Sequence, residues 1–320
     1  MTASFRQAPF PARIAPEYRA LMGDAPNDPL ARQVVPSPEE LAPQPEDRID
    51  PIGDTAHSPL EGLVHRHPDR VLLKPTLACP IHCRFCFRRD QVGRGGTLKP
   101  AALAAALDYI RVHPEIREVI LTGGDPLMLS PARLERLTRD LSMIDHLKWL
   151  RVHSRVPVAM PSRIAAAAVR ALKAGRLATW VAVHCNHPRE LSPAALAALG
   201  RLADAGIPLV SQTVLLKGVN DDVAVLAELM ESLLAARVKP YYLHHGDLVP
   251  GAAHFRVSLP EGIALAAELR RRVSGLALPT YVLDIPGGFG KVPVGPSYLE
   301  DGGAAVLDPQ GRRHAYPVES

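Results

Sequence analysis

Residues 118–153 read EVILTGGDPLMLSPARLERLTRDLSMIDHLKWLRVH, and this stretch predicts a strand, a helix and a second strand. The runs EVILT (118–122) and KWLRVH (148–153) are short and apolar with β-branched residues, which is typical of buried strands. The segment between them has apolar residues at helical spacing and opens with a serine where an N-cap would lie. The expected unit is therefore two parallel strands joined by a helix.

The same alternation continues along the chain. Further strand-like runs are RVLLK (70–74), TWVAVH (179–184), IPLVSQTVLL (207–216), KPYYL (239–243) and PTYVLD (279–284). Helical segments lie between most of them, so right-handed crossovers should join parallel strands. The pattern predicts an α/β fold, a partial (β/α)6-type barrel, with a doubly wound sheet as the competing topology. In both architectures ligands bind at the carboxyl ends of the strands.

Composition limits the class of protein. With 320 residues, 47% of them hydrophobic, the chain can bury a large core. The formal charge of +4 is too small to indicate a nucleic-acid-binding protein. The opening stretch lacks the apolar core of a secretory signal, and no run approaches the roughly 20 apolar residues that span a bilayer. We therefore expect a cytoplasmic protein that binds neither membrane nor nucleic acid.

Residues 1–60 differ from the rest because they hold 11 of the 32 prolines. Proline fixes φ and removes a backbone donor, so this arm should be irregular, with short helices at most. It is either disordered or wrapped around the main domain, with Leu21, Met22, Val34 and Val35 as apolar anchors. The expected organisation is a Pro-rich arm over 1–60, a barrel over 61–300 and a tail over 301–320.

Three of the four cysteines lie within eight residues, as Cys79, Cys83 and Cys86. This C-x3-C-x2-C spacing follows the first predicted strand of the alternation. Three thiolates on one loop can bind three irons of a cubane cluster and leave the fourth iron open to a small molecule. The alternative is a zinc site completed by His82 or by the distant Cys185.

The stretch DIPGGFGK (284–291) is a glycine-rich loop that ends in Lys291. Glycines permit positive φ and close backbone approach, so the loop should be tight and present one amine. A lysine whose pKa is lowered by its surroundings can form a Schiff base with a carbonyl cofactor. A solvated surface turn is the other interpretation. The loop is not a Walker motif, because Val292 stands where Ser or Thr would be needed.

The cysteine spacing, with the aromatic Phe85 before the last cysteine, resembles the signature of radical SAM enzymes. Combined with the loop of Lys291, it resembles the lysine 2,3-aminomutase family from about Asp50 to Tyr298. The resemblance implies a [4Fe–4S] cluster, S-adenosyl-L-methionine (SAM), pyridoxal 5′-phosphate (PLP), and an electron donor of flavodoxin or ferredoxin type. The implied isomerase reaction moves the amino group of a small-molecule amino acid, converting L-lysine to β-lysine. Arginine, ornithine or another amino acid is an alternative substrate, and a non-catalytic zinc-binding protein is the alternative of another class. The oligomeric state is left open.

The resemblance also implies roles for individual residues. Cys79, Cys83 and Cys86 would bind the cluster, and Lys291 would bind PLP covalently, with Arg66 and Arg70 on the PLP phosphate. Gly123, Gly124 and Asp125 would approach the amino group of SAM. His184 and Gln212 would line the pocket shared by SAM and PLP.

Toward the substrate, the resemblance places Arg88 on the carboxylate and the pair Asp247 and Asp284 on the ε-ammonium of lysine. A cationic side chain that leaves water must be met by carboxylates, whereas the same pair would repel a glutamate side chain. The other interpretation is that both aspartates cap loops.

Three features depart from the family pattern. Phe289 occupies a loop position that is often glycine in the lysine-specific members, which predicts a narrower pocket. The residues His244, His245 and Gly246 before the first aspartate also differ from the common pattern. The cysteine-rich C-terminal extension of longer members is missing. The short length and the wording CRFCFRR resemble the subgroup that makes β-lysine for modifying elongation factor P.

Overall fold

The computed structural model describes residues 10–316. Residues 1–9 of the predicted arm and 317–320 of the predicted tail lie outside the described residues. The main sheet has nine strands in chain order: β1 (Leu63–His67), β2 (Arg70–Thr76), β3 (Glu118–Gly123), β4 (Trp149–Ser154), β5 (Ala178–His184), β6 (Leu209–Val214), β7 (Val238–His244), β8 (Thr280–Ile285) and β9 (Gly290–Pro293).

Seven strands, β2 to β8, run parallel, and each pairs with the next one along the chain. The end strands β1 and β9 pair antiparallel with β2 and β8. A doubly wound sheet would reverse its strand order at a switch point, and this sheet does not. The predicted α/β partial barrel is therefore confirmed over the doubly wound alternative.

The helices are α1 (Pro16–Arg19), α2 (Pro29–Arg32), α3 (Pro100–Arg111), α4 (Pro131–Ser142), α5 (Val156–Ala159), α6 (Ala166–Leu172), α7 (Pro193–Asp204), α8 (Val223–Ala235) and α9 (Leu259–Arg272). Four of the long helices begin at a side-chain cap, from Ser130, Ser192, Asp222 and Ser258. Each cap satisfies amide groups that the first helical turn leaves free. The helices pack their apolar faces on the sheet, and β3 is buried along its whole length.

The arm wraps the barrel within the described residues 10–60. Tyr18, Leu30 and Val34 are fully buried and pack against Ile81 of the cysteine loop in a second apolar cluster. Leu21 and Met22 are partly buried beside them. The prediction that Val35 is an apolar anchor of the arm is wrong, because this residue is 41% exposed.

A small antiparallel sheet follows the barrel, with β10 (Leu299–Glu300), β11 (Ala305–Leu307) and β12 (Arg313–Ala315). Across residues 10–316, the helices are all too short or too polar to cross a bilayer.

Candidate active site

One cavity of about 680 Å³ opens among the loops that follow the parallel strands. Its wall contains every residue to which the family resemblance gives a role: Arg66, Arg70, Cys79, Cys83, Cys86, Arg88, Gly123, Gly124, Asp125, His184, Gln212, Asp247, Asp284 and Lys291. The cysteine loop and the late lysine thus face one space, although more than 200 residues separate them in sequence. The wall shows that these side chains meet and does not by itself assign their roles.

The cysteine loop leaves the end of β2 and is held by its neighbours. Gly124 and Asp125 donate backbone hydrogen bonds to the carbonyls of Thr76 and Ala78, both at 2.8 Å. A Cβ on Gly124 would lie 2.5 Å from the Ala78 carbonyl oxygen, so glycine is required for this approach. The glycine pair therefore lets the β3 end support the cysteine loop closely.

Asp125 is fully buried and joins the ends of β3 and β4. Its carboxylate accepts hydrogen bonds from the Ser154 hydroxyl at 2.8 and 3.0 Å and from the amides of Leu127, Arg155 and Val156 at 3.0, 2.7 and 3.1 Å. Burial raises the pKa of this carboxyl, while the hydrogen bonds act in the opposite direction. Its oxygens are thus already occupied by protein donors, so a contact with SAM stays a prediction.

The glycine-rich loop is the turn of the β8–β9 hairpin. Asp284 and Lys291 are directly opposite in the antiparallel register, so their side chains lie on the same face. The turn needs glycine, since φ is +94° at Gly287 and +88° at Gly288. The arm supports the turn, because the Gly287 amide donates to the Pro51 carbonyl at 3.2 Å.

The Lys291 ammonium forms an ion pair with Asp284 and lies 3.5 Å from His244 Nδ1. The other oxygen of Asp284 lies 3.7 Å from an Arg66 guanidinium nitrogen and has no hydrogen-bond partner. Burial, and next the charge of Asp284, raise the pKa of Asp247 to about 7. Two carboxylates and two cations therefore meet at this end of the cavity.

Arg88 forms a buried ion pair with Asp54 of the arm. Its Nε and Nη2 both lie 2.8 Å from Asp54 Oδ2, and its Nη1 donates to Thr122 Oγ1 at 3.2 Å. The two charged side chains are only 8% and 4% exposed. The neighbouring Arg89 contacts Glu40 and the backbone carbonyls of Arg84 and Pro250, so its guanidinium holds the cysteine loop against neighbouring segments.

The remaining predicted ligands lie along the cavity wall. Arg70 pairs with the adjacent Asp69 at 2.7 Å and is about one-third exposed. His184 at the end of β5 is the register partner of Gln212 in β6. Burial lowers the pKa of His184 well below its ordinary value, so its ring is neutral.

Sequence reasoning missed several residues at the site. Arg155 follows β4 and donates a hydrogen bond to Cys83 Sγ at 2.8 Å. Its position directly after a predicted strand is the signal that could have found it. Asp54 and Glu40 lie in the Pro-rich arm, where no periodicity marks them. Glu40 contacts Arg84 of the cysteine loop at 2.7 and 2.5 Å.

The prediction that Phe289 narrows the pocket is wrong. Its ring is 80% exposed and is not part of the cavity wall. The positive φ values of Gly287, Gly288 and Gly290 turn the hairpin tip outward, so the side chain between them points to solvent.

The three thiols of the cavity wall suit an iron–sulfur cluster, and the guanidinium groups of Arg66 and Arg70 in the same wall suit a phosphate. The three thiols form no disulfide, and burial raises the pKa of Cys86 to about 12, so a bound cation is what would stabilise its thiolate. Within residues 10–316 no three His, Cys, Asp or Glu side chains converge as the ligands of one metal ion do. Each thiolate of a cubane binds a separate iron. Neither His82 nor Cys185 lines the cavity.

Two family comparisons agree with this geometry. Residues 73–230 match the radical SAM superfamily, and residues 266–305 match the family described as lysine-2,3-aminomutase. The fold resembles that of a radical SAM methyltransferase from Sphaerobacter thermophilus, with a TM-score of 0.50 and 19% identity over 73% of each chain. Fold and cysteine loop thus define a radical SAM enzyme.

Curated relatives narrow the class. The chain is 43% identical over 288 residues to the L-lysine 2,3-aminomutase of Clostridium subterminale, covering 89% of this chain and 69% of that protein. It is 39% identical to the L-lysine 2,3-aminomutase of Escherichia coli K12, covering 84% and 78%. It is 38% identical to the glutamate 2,3-aminomutase of Clostridioides difficile, covering 89% and 68%. The chain belongs to the lysine 2,3-aminomutase family.

Membership of this family confirms the predicted resemblance and the isomerase class. The cluster and SAM are the cofactors of the superfamily, and PLP is that of lysine 2,3-aminomutases, so the cofactor predictions agree with the family. An amino acid substrate and the need for a reductant agree with it too. The zinc-binding alternative is not supported.

Proposed function

We propose that the enzyme converts L-lysine to β-lysine by moving the amino group from carbon 2 to carbon 3. The observation that carries this proposal is the carboxylate pair Asp247 and Asp284, which lines the same cavity as Lys291 and the cysteine loop. Two carboxylates favour a cationic substrate side chain and oppose an acidic one. The relatives named as L-lysine 2,3-aminomutases support the same substrate.

In this proposal the substrate is held at both ends. Arg88 binds the carboxylate through the part of its guanidinium that Asp54 leaves free. Asp247 and Asp284 bind the ε-ammonium. Asp284, which pairs with the Lys291 ammonium in this structure, would pair with the ε-ammonium of the substrate when lysine is bound. The protein thus exchanges one ion pair for another.

The cofactors would be held by the other wall residues. Cys79, Cys83 and Cys86 hold the cluster, and Lys291 holds PLP with Arg66 and Arg70 on its phosphate, since guanidinium forks suit a dianion. Gly123 and Gly124, which pack against β2 and the cysteine loop, would lie beside SAM in the cavity wall.

When bound, the cluster and SAM supply a carbon radical that removes hydrogen from the substrate, and PLP supplies a π-system that delocalises the unpaired electron. This chain's own residues orient the substrate and shield the cavity from water. His184 and Gln212 contribute polar groups to the cavity wall, and Asp125 joins the ends of β3 and β4.

Two further parts of the proposal concern the surroundings of the enzyme. We propose that the electron comes from a small donor protein of flavodoxin or ferredoxin type, because the superfamily needs a reductant. We also propose a cytoplasmic location, and a division into the arm (1–60), the barrel (61–300) and the tail (301–320).

The test is anaerobic reconstitution with iron, sulfide, SAM and PLP, followed by incubation with a panel of lysine, arginine, ornithine and glutamate. Chromatography and mass spectrometry of the products identify the amino group position. We expect β-lysine to be the main product. If the enzyme turned over arginine or ornithine but not lysine, that basic amino acid would be the substrate instead of lysine. A protein with a full cluster that turns over glutamate best would refute the role of the carboxylate pair.

A further inference from the structure

We propose that Arg155 is a positioning residue that tunes the iron–sulfur cluster through a hydrogen bond to the Cys83 sulfur, and that the N-terminal arm holds Arg155 in place. This inference rests on the cluster in the proposed function. Arg155 Nη1 lies 2.8 Å from Cys83 Sγ, and the Arg155 side chain is only 5% exposed. The contact is therefore a partly buried hydrogen bond at the cavity wall, with a donor that is largely shielded from water.

The second terminal nitrogen of the guanidinium, Nη2, is fixed by protein groups, whereas Nε is buried without a hydrogen-bond partner. Its Nη2 donates to Gln33 Oε1 at 2.5 Å, to Glu190 Oε2 at 2.9 Å and to the Tyr18 hydroxyl oxygen at 3.2 Å. The planar group also lies 5.4 Å from the centre of the Tyr18 ring and 5.7 Å from that of Phe85. These contacts leave the guanidinium one orientation, with Nη1 directed at the sulfur.

Charge within the network is balanced. Glu190 is fully buried, and its second oxygen accepts from the Asn186 amide at 3.0 Å and from the Gln33 side chain at 3.2 Å. The one buried anion neutralises the one buried cation. The effect of Arg155 on Cys83 is therefore mainly a directed hydrogen bond rather than a net positive charge.

The arm supplies the alignment. Tyr18 and Gln33 both belong to the arm, and both are fully buried. Gln33 contacts the network twice, because its side chain binds Arg155 and its backbone carbonyl accepts from the amide of Arg84 at 2.8 Å. A single arm residue thus links the cysteine loop to the arginine that donates to it.

A hydrogen bond to a cluster sulfur draws electron density from the iron and favours the reduced state. Radical chemistry of this kind begins with a one-electron reduction of the cluster by an external reductant. Arg155 should therefore make that electron easier to transfer. Without the hydrogen bond, the same donor would reduce a smaller fraction of the enzyme.

The test compares charge-balanced variants in the full-length, cluster-loaded protein without SAM, so that loss of a SAM contact cannot cause the change. The double variant Arg155→Gln/Glu190→Gln removes both charges and keeps hydrogen-bonding groups. Arg155→Lys keeps the charge but cannot span both Glu190 and the sulfur. The matched control is Arg151→Gln/Glu118→Gln, another Arg–Glu pair of the cavity wall, at 2.8 Å, that does not contact a cysteine.

The readout is an electron paramagnetic resonance titration of the one-electron cluster couple, together with iron and sulfide content. At a fixed ambient potential we expect the ratio of reduced to oxidised cluster to fall about tenfold in both Arg155 variants, which is 59 mV for one electron. The control should stay within about threefold of the parent. If the double variant binds no cluster, the ratio of reduced to oxidised cluster in Arg155→Lys alone tests the role of Arg155.

Parent-like ratios in an Arg155 variant with full iron content would overturn the inference, and so would an equal fall in the control. The outcome is separable from the proposed function. A parent protein that binds no cluster refutes the proposed function, whereas a parent that makes β-lysine with variants of unchanged potential refutes only the role of Arg155.

Discussion

The replacement Asp284→Asn tests the substrate site most directly. The asparagine keeps the size of the side chain, so only its charge is lost from a position that is 10% exposed. Loss of one charged partner of a buried ammonium costs about 2–3 kcal/mol when the second carboxylate, Asp247, remains. We therefore expect kcat/KM for lysine to fall by about 30- to 150-fold, measured as β-lysine formation under anaerobic conditions.

The same replacement should change the pH dependence. Burial and the charge of Asp284 raise the pKa of Asp247 to about 7, so this carboxyl is mostly neutral below pH 7 and ionised above it. Because the ionised form binds the substrate ammonium, kcat/KM of the parent enzyme should rise with pH through about 7. In Asp284→Asn one cause of the raised pKa is gone, so the inflection should move to lower pH.

Two controls complete this experiment. Asp247→Asn should remove the inflection, because the titrating group is absent. PLP occupancy, measured by absorbance, must match the parent, since Asp284 also contacts Lys291. An unchanged kcat/KM at full occupancy, or an inflection that moves to higher pH, would show that Asp284 does not bind the substrate.

Three further predictions concern other parts of the site. Lys291→Ala should abolish turnover and covalent PLP retention while iron and sulfide content stay at parent levels; full activity would refute the PLP assignment. Asp54→Asn should raise KM for lysine about tenfold with a smaller change in kcat, because Arg88 loses its buried partner; a fall in kcat alone would contradict a binding role. Glu40→Gln should lower the unfolding free energy by about 3–5 kcal/mol, because two buried guanidinium groups of the cysteine loop lose their carboxylate; denaturant unfolding measures this, and a loss below about 1 kcal/mol would refute it.

Much of the fold was predictable because its signals are local. The βαβ unit of residues 118–153 and its repeats appear as short apolar runs and helical spacing, and these periods follow from backbone geometry. The sequence reduced the topology to two alternatives, because helical crossovers between consecutive strands imply parallel pairing. The strand order of the folded sheet decided for the partial barrel. The fate of the arm was not predictable, since whether proline-rich residues such as those around Tyr18 pack on the barrel depends on a surface formed only after folding.

The candidate ligands were also found from local patterns, but their neighbours were not. Phe289 is an example of what local patterns do not predict. A bulky aromatic residue in the loop suggested a narrower pocket, whereas the glycine turn directs its side chain to solvent. The arm partners of Arg88 and Arg155 lie 34 and more than 100 residues away along the chain. No spacing rule connects them.

The sequence by itself determined the chemistry of the ligands: three cysteines within eight residues, a lysine after a glycine-rich segment, and polar residues that follow short apolar runs. Those features persist in any conformation, because they depend on residue type and on neighbours along the chain. Tertiary structure alone decided which groups share the cavity, which arm residues hold Arg88 and Arg155, and how charges such as Asp247 and Asp284 affect each other. These are distance-dependent interactions between remote segments, and they exist only once the barrel has closed around the site.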